Sequence, residues 1–265
     1  MERDQDKLYT MPLLAGPLLG KREPIPYPDV EGVLVQYETT REAIAALLPD
    51  CYEPAEEPLV NVIFGYYKGL SFLAGGDYNI ATVQVRARFD GREDHVEGDY
   101  ILVMFENRTV PIIGGREHLG VPKLYADIPT MKTLPDGRLR CEVSLWGHLL
   151  LGVELPDLKK QNAVIRMAAN RQFNERPWLA YKYIERLDGP ADADYPTITE
   201  NDISLDELWL GKSATIYFSS LNEEDVSWIA RVIEALKTLS LLQITRTARY
   251  QGSAVLRYDK SRRLV

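Results

Sequence analysis

Lys123 stands in the stretch GGREHLGVPKLYAD, residues 114–127, where glycine, valine, proline, leucine and tyrosine surround a single amine. Two kinds of chemistry use such a lysine. A phosphate-binding loop needs G-x-x-x-x-G-K followed by Ser or Thr, so that backbone N–H groups, the lysine and a magnesium-binding hydroxyl converge on phosphate. Gly115 and Gly120 have that separation, but Val121 and Pro122 come before Lys123 and Leu124 follows it, so the loop is excluded. The second chemistry is nucleophilic. Taking an amine out of water disfavours its charged form, and the neutral amine adds to carbonyls, giving an imine that acts as an electron sink for a neighbouring carbanion. The bland alternative is a buried stem with its head in water.

The elements that must position this lysine read mostly as strands. GVLVQY, residues 32–37, is one, and TTREAIAALLP after it is a short helix with Thr39 and Glu42 spaced as a capping box. LVNVIFGYY, YNIATVQVRARF, YILVMF and RLRCEVSLWGHLLLGVEL follow as strands, with turns at 90–98 and 134–138. Short strands between turn residues predict antiparallel sheet rather than βαβ units. Residues 158–173 are a helix candidate, RPWLAYKYIERLDG another strand, and 188–206, rich in Asp, Pro and Gly, a surface loop. Asn222 caps a helix, NEEDVSWIARVIEALKTLS, whose apolar positions 226, 229, 233 and 236 face a core. LLQITRTARYQGSAVLRY closes the chain as a strand or hairpin. The fold class is α+β, mostly antiparallel sheet with a few helices, in one domain over residues 1–265.

Bulk properties remove several function classes. A net charge of −8 opposes a nucleic-acid partner, because such binding rests on basic residues neutralising phosphates. The densest basic cluster, Lys260, Arg262 and Arg263, reads as a solvated tail. The first residues, MERDQDKLYTM, lack the apolar run of a signal peptide, and no run of about 18 apolar residues suggests a membrane span, which places the protein in the cytoplasm. Cys51 and Cys141 are far apart and fit reduced, buried thiols. His95, His118 and His148 have no metal-ligand spacing.

The motif around Lys123 resembles the active-site stretch of the acetoacetate decarboxylase family, in which a G-R-E segment is followed, seven residues after its arginine, by a Schiff-base lysine. Arg116 and Lys123 have that spacing. Similarity continues in the same order through EPLV at 57–60, GDYILVMFEN at 98–107, DGRLR at 136–140 and RPWLAYKYI at 176–184, and fades beyond Asp188. The resemblance implies a cone-like, largely antiparallel β-barrel, an interior cavity, no metal or organic cofactor, a small keto acid as substrate, and a homo-oligomer.

This chain also departs from the family pattern. Leu124 replaces a second lysine that helps depress the pKa of the first, and Ile63, Ile80 and Val30 fall where the family's decarboxylases place two glutamates and an arginine. Related proteins with an altered cavity use the lysine imine of pyruvate for aldol addition to an aldehyde and dehydration. The candidate proton-transfer groups are therefore Tyr78, Tyr250, Glu117 and Glu106, Arg116 offers a planar fork for a carboxylate, and Glu106, Asn61 and Gln84 are candidates for binding substrate. Decarboxylation of a β-keto acid, an aldolase-dehydratase acting on pyruvate and an aldehyde, and a non-catalytic small-ligand barrel all remain open at this point.

Overall fold

A computed structural model describes residues 4, 7–15 and 22–265; part of the N-terminal segment judged above for a signal peptide lies outside the described residues. In chain order the strands are β1 (Ile25–Glu38), β2 (Tyr52–Pro54), β3 (Leu59–Leu70), β4 (Gly76–Asp90), β5 (His95–Glu106), β6 (Lys123–Tyr125), β7 (Lys132–Thr133), β8 (Leu139–Leu145), β9 (His148–Leu155), β10 (Lys159–Lys160), β11 (Trp178–Ile184), β12 (Ala193–Gly211), β13 (Thr215–Phe218) and β14 (Gln243–Arg263). The α-helices are α1 (Arg41–Ala45), α2 (Thr109–Gly114), α3 (Ala163–Asn174), α4 (Glu223–Val226) and α5 (Ile229–Lys237), and a π-helix occupies Gly115–Leu119. Among the described residues no helix is long and apolar enough to cross a membrane.

The large sheet runs β1 to β3, β4, β5, β11, β12 and β14, and β14 pairs with β1 again, so the pairing path returns to its start. Its pairs are antiparallel except β5 with β11 and β5 with β6. A smaller sheet, β13-β9-β8-β7, lies against it. Alternation sorts the two faces of β4. Ala81, Val83, Val85 and Ala87 pack into the main apolar core with Val143, Leu151 and Val153 of the small sheet and Ile233 and Leu236 of α5. The intervening residues Tyr78, Ile80, Thr82, Gln84 and Arg86 line a cavity on the other face. In β5 a bulge between Val103 and Ile101 changes the parity, so that Asp99 and Glu106, seven residues apart, both reach that cavity.

Several sequence expectations need correction. The cap of α1 is Thr40, whose side chain accepts from the Ala43 N–H, and not Thr39, which is buried. Residues 188–206 are a loop only as far as 192, because β12 starts at Ala193 and pairs on both sides, and Lys260 to Arg263 are no free tail, because they end β14. The same contacts explain both. Glu200 accepts from Lys260 at 2.8 Å and Asp202 from Arg257 at 3.1 Å across neighbouring strands, while Asp94 holds Arg262 through both carboxylate oxygens. A loop-like acidic composition and a tail-like basic one thus become strand partners.

The helix begun by Asn222 is broken. Its capping box is present, but Ser227 at φ 55°, ψ −153° ends α4 and the chain restarts as α5. The apolar positions still face inward: Val226, Ile229, Ile233 and Leu236 are all buried. The turn expected over 90–98 is shorter, since β5 begins at His95. Cys141 is buried and Cys51 is exposed, the latter because it sits in the turn that leads from α1 into β2. Both thiols are free.

Candidate active site

The backbone around Lys123 is over-determined by local hydrogen bonds. After α2 the helix widens to the π form, the Gly115 carbonyl accepts from the Gly120 and Val121 N–H groups, and Gly120 turns the chain at φ 76°. A Cβ at Gly120 would lie 2.5 Å from that of Lys182, so glycine is required there by both conformation and space. Pro122 then accepts from the Met104 N–H at 3.1 Å, and β6 pairs in parallel with β5, Lys123 opposite Met104 and Tyr125 opposite Glu106. The lysine therefore starts a strand of the main sheet, not a free loop. The Arg116 guanidinium donates to the Lys123 carbonyl at 3.0 Å and fixes the same turn from outside.

The side chain of Lys123 passes beside Gly115 and ends against Glu106. Its Nζ lies 2.7 Å from Glu106 Oε1 and donates to the Pro111 carbonyl of α2 at 3.1 Å. Glu106 is 0% exposed and Lys123 8%. The contact is close but off the hydrogen-bonding direction, so neither Glu106 oxygen has a well-aligned donor. Burial pushes the Glu106 carboxyl above the usual carboxylate range, and Lys123 pulls it back down. Burial disfavours the charged form of Glu106, so a proton reaching this carboxylate relieves its desolvation.

Lys123 and Glu106 open onto a cavity of about 420 Å³, in the range of small-molecule sites. Glycines make the room. A Cβ at Gly32 would meet the Tyr250 ring at 2.1 Å, and one at its cross-strand partner Gly65 would meet the Tyr67 hydroxyl at 2.7 Å. Tyr78 and Tyr27 share a hydroxyl contact of 3.2 Å, and burial raises both phenols far enough that they stay protonated. Burial moves the Tyr250 phenol up to about 12.

Of the residues singled out from sequence, Lys123, Glu106, Tyr78, Tyr250, Asn61 and Gln84 all line this cavity. Arg116 and Glu117 do not. Arg116 is exposed, and Glu117 sits on the π-helix with its carboxylate on the Thr10 hydroxyl. Val30, Ile63 and Ile80 line the cavity as apolar wall, with Ile80 directly across from Glu106. Arg86, Asp99, Arg176, Gln36 and Tyr27 also line it and were not singled out. One signal was available: Arg86 follows Gln84 by two residues on the same strand, so a strand that turns Gln84 inward turns Arg86 inward as well.

The family model described as acetoacetate decarboxylase matches residues 10–257. An acetoacetate decarboxylase of Clostridium botulinum (strain Eklund 17B / Type B) is 26% identical over 219 residues, covering 80% of this chain and 81% of its own length. A solved acetoacetate decarboxylase superposes with a TM-score of 0.77 at 20% identity, over 100% of this chain and 98% of the other. The enduracididine biosynthesis enzyme MppR, complexed with pyruvate, superposes with a TM-score of 0.71 at 16% identity, over 100% and 99%. At these identities the two structural matches speak for the fold.

Proposed function

This chain belongs to the acetoacetate decarboxylase family and is a lyase, and on that premise we propose that Lys123 forms a Schiff base with a small keto acid and decarboxylates a β-keto acid such as acetoacetate. The observation that carries the proposal is the Lys123 amine, buried and 2.7 Å from a carboxylate that is itself wholly buried. Glu106 takes a proton from the ammonium, and the neutral Nζ adds to the ketone carbon. The adduct's nitrogen then passes one proton to the former carbonyl oxygen and Glu106 returns the other, so that the oxygen leaves as water and the product is an iminium ion.

The bond to the substrate carboxylate then breaks. Its electron pair moves onto the iminium nitrogen to give an enamine, and carbon dioxide departs. Reprotonation of the carbon by the Tyr78 phenol, or by Glu106 once it has taken up a proton from water, and hydrolysis of the imine complete the cycle. The apolar wall of Val30, Ile63 and Ile80 favours the cleavage step, because it desolvates the carboxylate and offers the departing carbon dioxide no polar hold. In this reading Arg116 and Glu117 hold the lysine turn, Tyr250 contacts substrate, and Asn61 and Gln84 line the cavity further from the lysine.

A second reading is an aldolase-dehydratase, in which the enamine formed from pyruvate adds to an aldehyde. The paired phenols of Tyr27 and Tyr78 favour it, since protonated phenols in the cavity can supply the proton that a departing hydroxyl needs. Either way we read the ring of strands as a cone-like barrel and the chain as a single domain. The enzyme then works in the cytoplasm as a homo-oligomer without metal or organic cofactor.

The test is intact-protein mass spectrometry after incubation with acetoacetate or pyruvate and a hydride that reduces imines. The expected result is a substrate-sized adduct on wild type and none on Lys123→Ala, with product analysis separating carbon dioxide release from aldol condensation. Equal labelling of both proteins, or none with either keto acid, would favour a non-catalytic ligand-binding barrel.

A further inference from the structure

The cavity is longer than the proposed chemistry needs, and its far end is polar. Register places its lining in layers. Ile80 lies across from Glu106, Thr82 pairs with Ile63 and Met104, and Gln84 pairs with Asn61, which in turn pairs with Gln36. Arg86 pairs with Asp99 one layer further on. Four residues separate Ile80 from Gln84, about 13 Å along the strand at the usual rise. Acetoacetate spans three carbon–carbon bonds, at most about 4.6 Å. Bound to Lys123, it leaves the Gln84 and Arg86 layers untouched.

Those layers contain buried polar atoms without a hydrogen-bond partner. Gln84 is 1% exposed and its Nε2 has no hydrogen-bond partner; Arg86 is 5% exposed and its Nε has none; Asp99 Oδ1 has none. Buried polar groups left without a hydrogen bond are costly, so three such atoms on one stretch of wall mark a place that a ligand completes. Two are donors and one is an acceptor. Arg86 lies 2.9 Å from Glu57, and its Nε faces Asp99 Oδ1 at 3.9 Å, an ion pair too long for a hydrogen bond. A further carboxylate would enter a wall where Glu57 and Asp99 already face Arg86 and Arg176.

We infer that the wall formed by Gln84, Arg86 and Asp99 is a distal subsite for an uncharged head group that both donates and accepts hydrogen bonds, such as an amide, alcohol or azole ring, carried on the substrate or co-substrate that reacts at Lys123. The ligand then has an electrophilic carbonyl at one end, an apolar middle against Leu34, Ile63 and Met104, and a neutral polar head at the other. The assignment rests on the Schiff-base reading only for the reactive end. A flip of the Gln84 amide lets the same residue meet either a donor or an acceptor.

Methyl ketones with a tail of about five methylenes, a length that bridges the layers with help from the Gln84 side chain, provide the probes, ending in a primary amide, a carboxylate or a methyl group. Half-saturation of reductive trapping at Lys123 is measured for each and for acetone, on wild type and Gln84→Leu. The amide ketone is expected to half-saturate at a concentration tenfold or more below the other two long ketones, and Gln84→Leu to weaken it tenfold more than it weakens acetone. Equal values for the three tails, or equal effects of the substitution on amide ketone and acetone, would overturn the subsite.

If not even acetone is trapped, the Schiff-base reading fails by itself. Calorimetric binding of the amide ketone to Lys123→Ala and to Lys123→Ala with Gln84→Leu then decides the subsite: tenfold weaker binding by the double variant supports it, and equal binding removes it.

Discussion

Lys123 Nζ and Glu106 Oε1 lie 2.7 Å apart inside the protein, where the carboxylate has no access to water and no other charged group neutralises it. In the proposed mechanism, proton exchange within this pair sets the pH dependence of the reaction. Burial, the dominant influence, raises Glu106, so its ionised form is lost at a higher pH than for an ordinary carboxylate, and the acid limb of kcat lies above the usual range of about 4.3. Glu106→Gln removes that limb and lowers kcat by about 10² to 10⁴, the span expected for a positioned acid–base group. A kcat–pH profile of the variant that keeps the wild-type limb would assign the titration to another residue.

Removing the lysine exposes the other half of the pair. In Lys123→Met the influence that lowers Glu106 is gone, so its carboxyl rises further in the folded state than in the unfolded chain. A group whose folded pKa is raised holds its proton more tightly when folded, and the stability it lends is lost as pH climbs above the unfolded value. Thermal melts should show the variant destabilised near neutrality, by up to about 3–5 kcal/mol for a stranded buried charge. Part of that loss returns near pH 5. Identical melting at the two pH values would mean that Glu106 finds another partner or water.

Gly115 keeps the amine where it is. An added Cβ would stand 2.4 Å from Lys123 Cε and 2.8 Å from Nζ, while the backbone at φ −66° accepts any residue. Gly115→Ala should therefore fold, since the clash is with the far end of a flexible side chain, yet push the amine away from Glu106. A displacement of about 1 Å costs as much as 10² in rate, so trapping of a ketone by hydride should slow by tenfold or more at unchanged melting temperature. Trapping at the wild-type rate would show that the amine needs no fixed position.

The site was legible where local rules govern and hidden where pairing does. Lys123 with its glycines, and the β4 strand carrying Tyr78 and Gln84, follow from motif and alternation. Sequence offers Glu106 as a candidate for proton transfer and substrate binding, but its partner comes from the parallel pairing of β5 and β6 across the whole π-helix, a non-local contact. Asp99 was hidden by the β5 bulge, which reverses the side to which a simple count assigns it. Both the acidic 188–206 segment and the basic end of the chain look solvated when read alone, and become strands because each supplies the other's counter-charges.

Arg116 separates two roles that sequence leaves joined. It is exposed, outside the cavity lining, and donates to the Lys123 carbonyl at 3.0 Å. A residue that acts by holding this turn affects every carbonyl substrate alike, whereas a carboxylate anchor affects only acids. Arg116→Gln should cost about 0.5–1.5 kcal/mol of stability, the worth of one hydrogen bond, and should lower the efficiency of imine trapping by the same factor for acetoacetate and for acetone. If acetoacetate alone suffers, through a raised half-saturating concentration, the guanidinium reaches the substrate carboxylate in the working enzyme, and the turn must open to let it in.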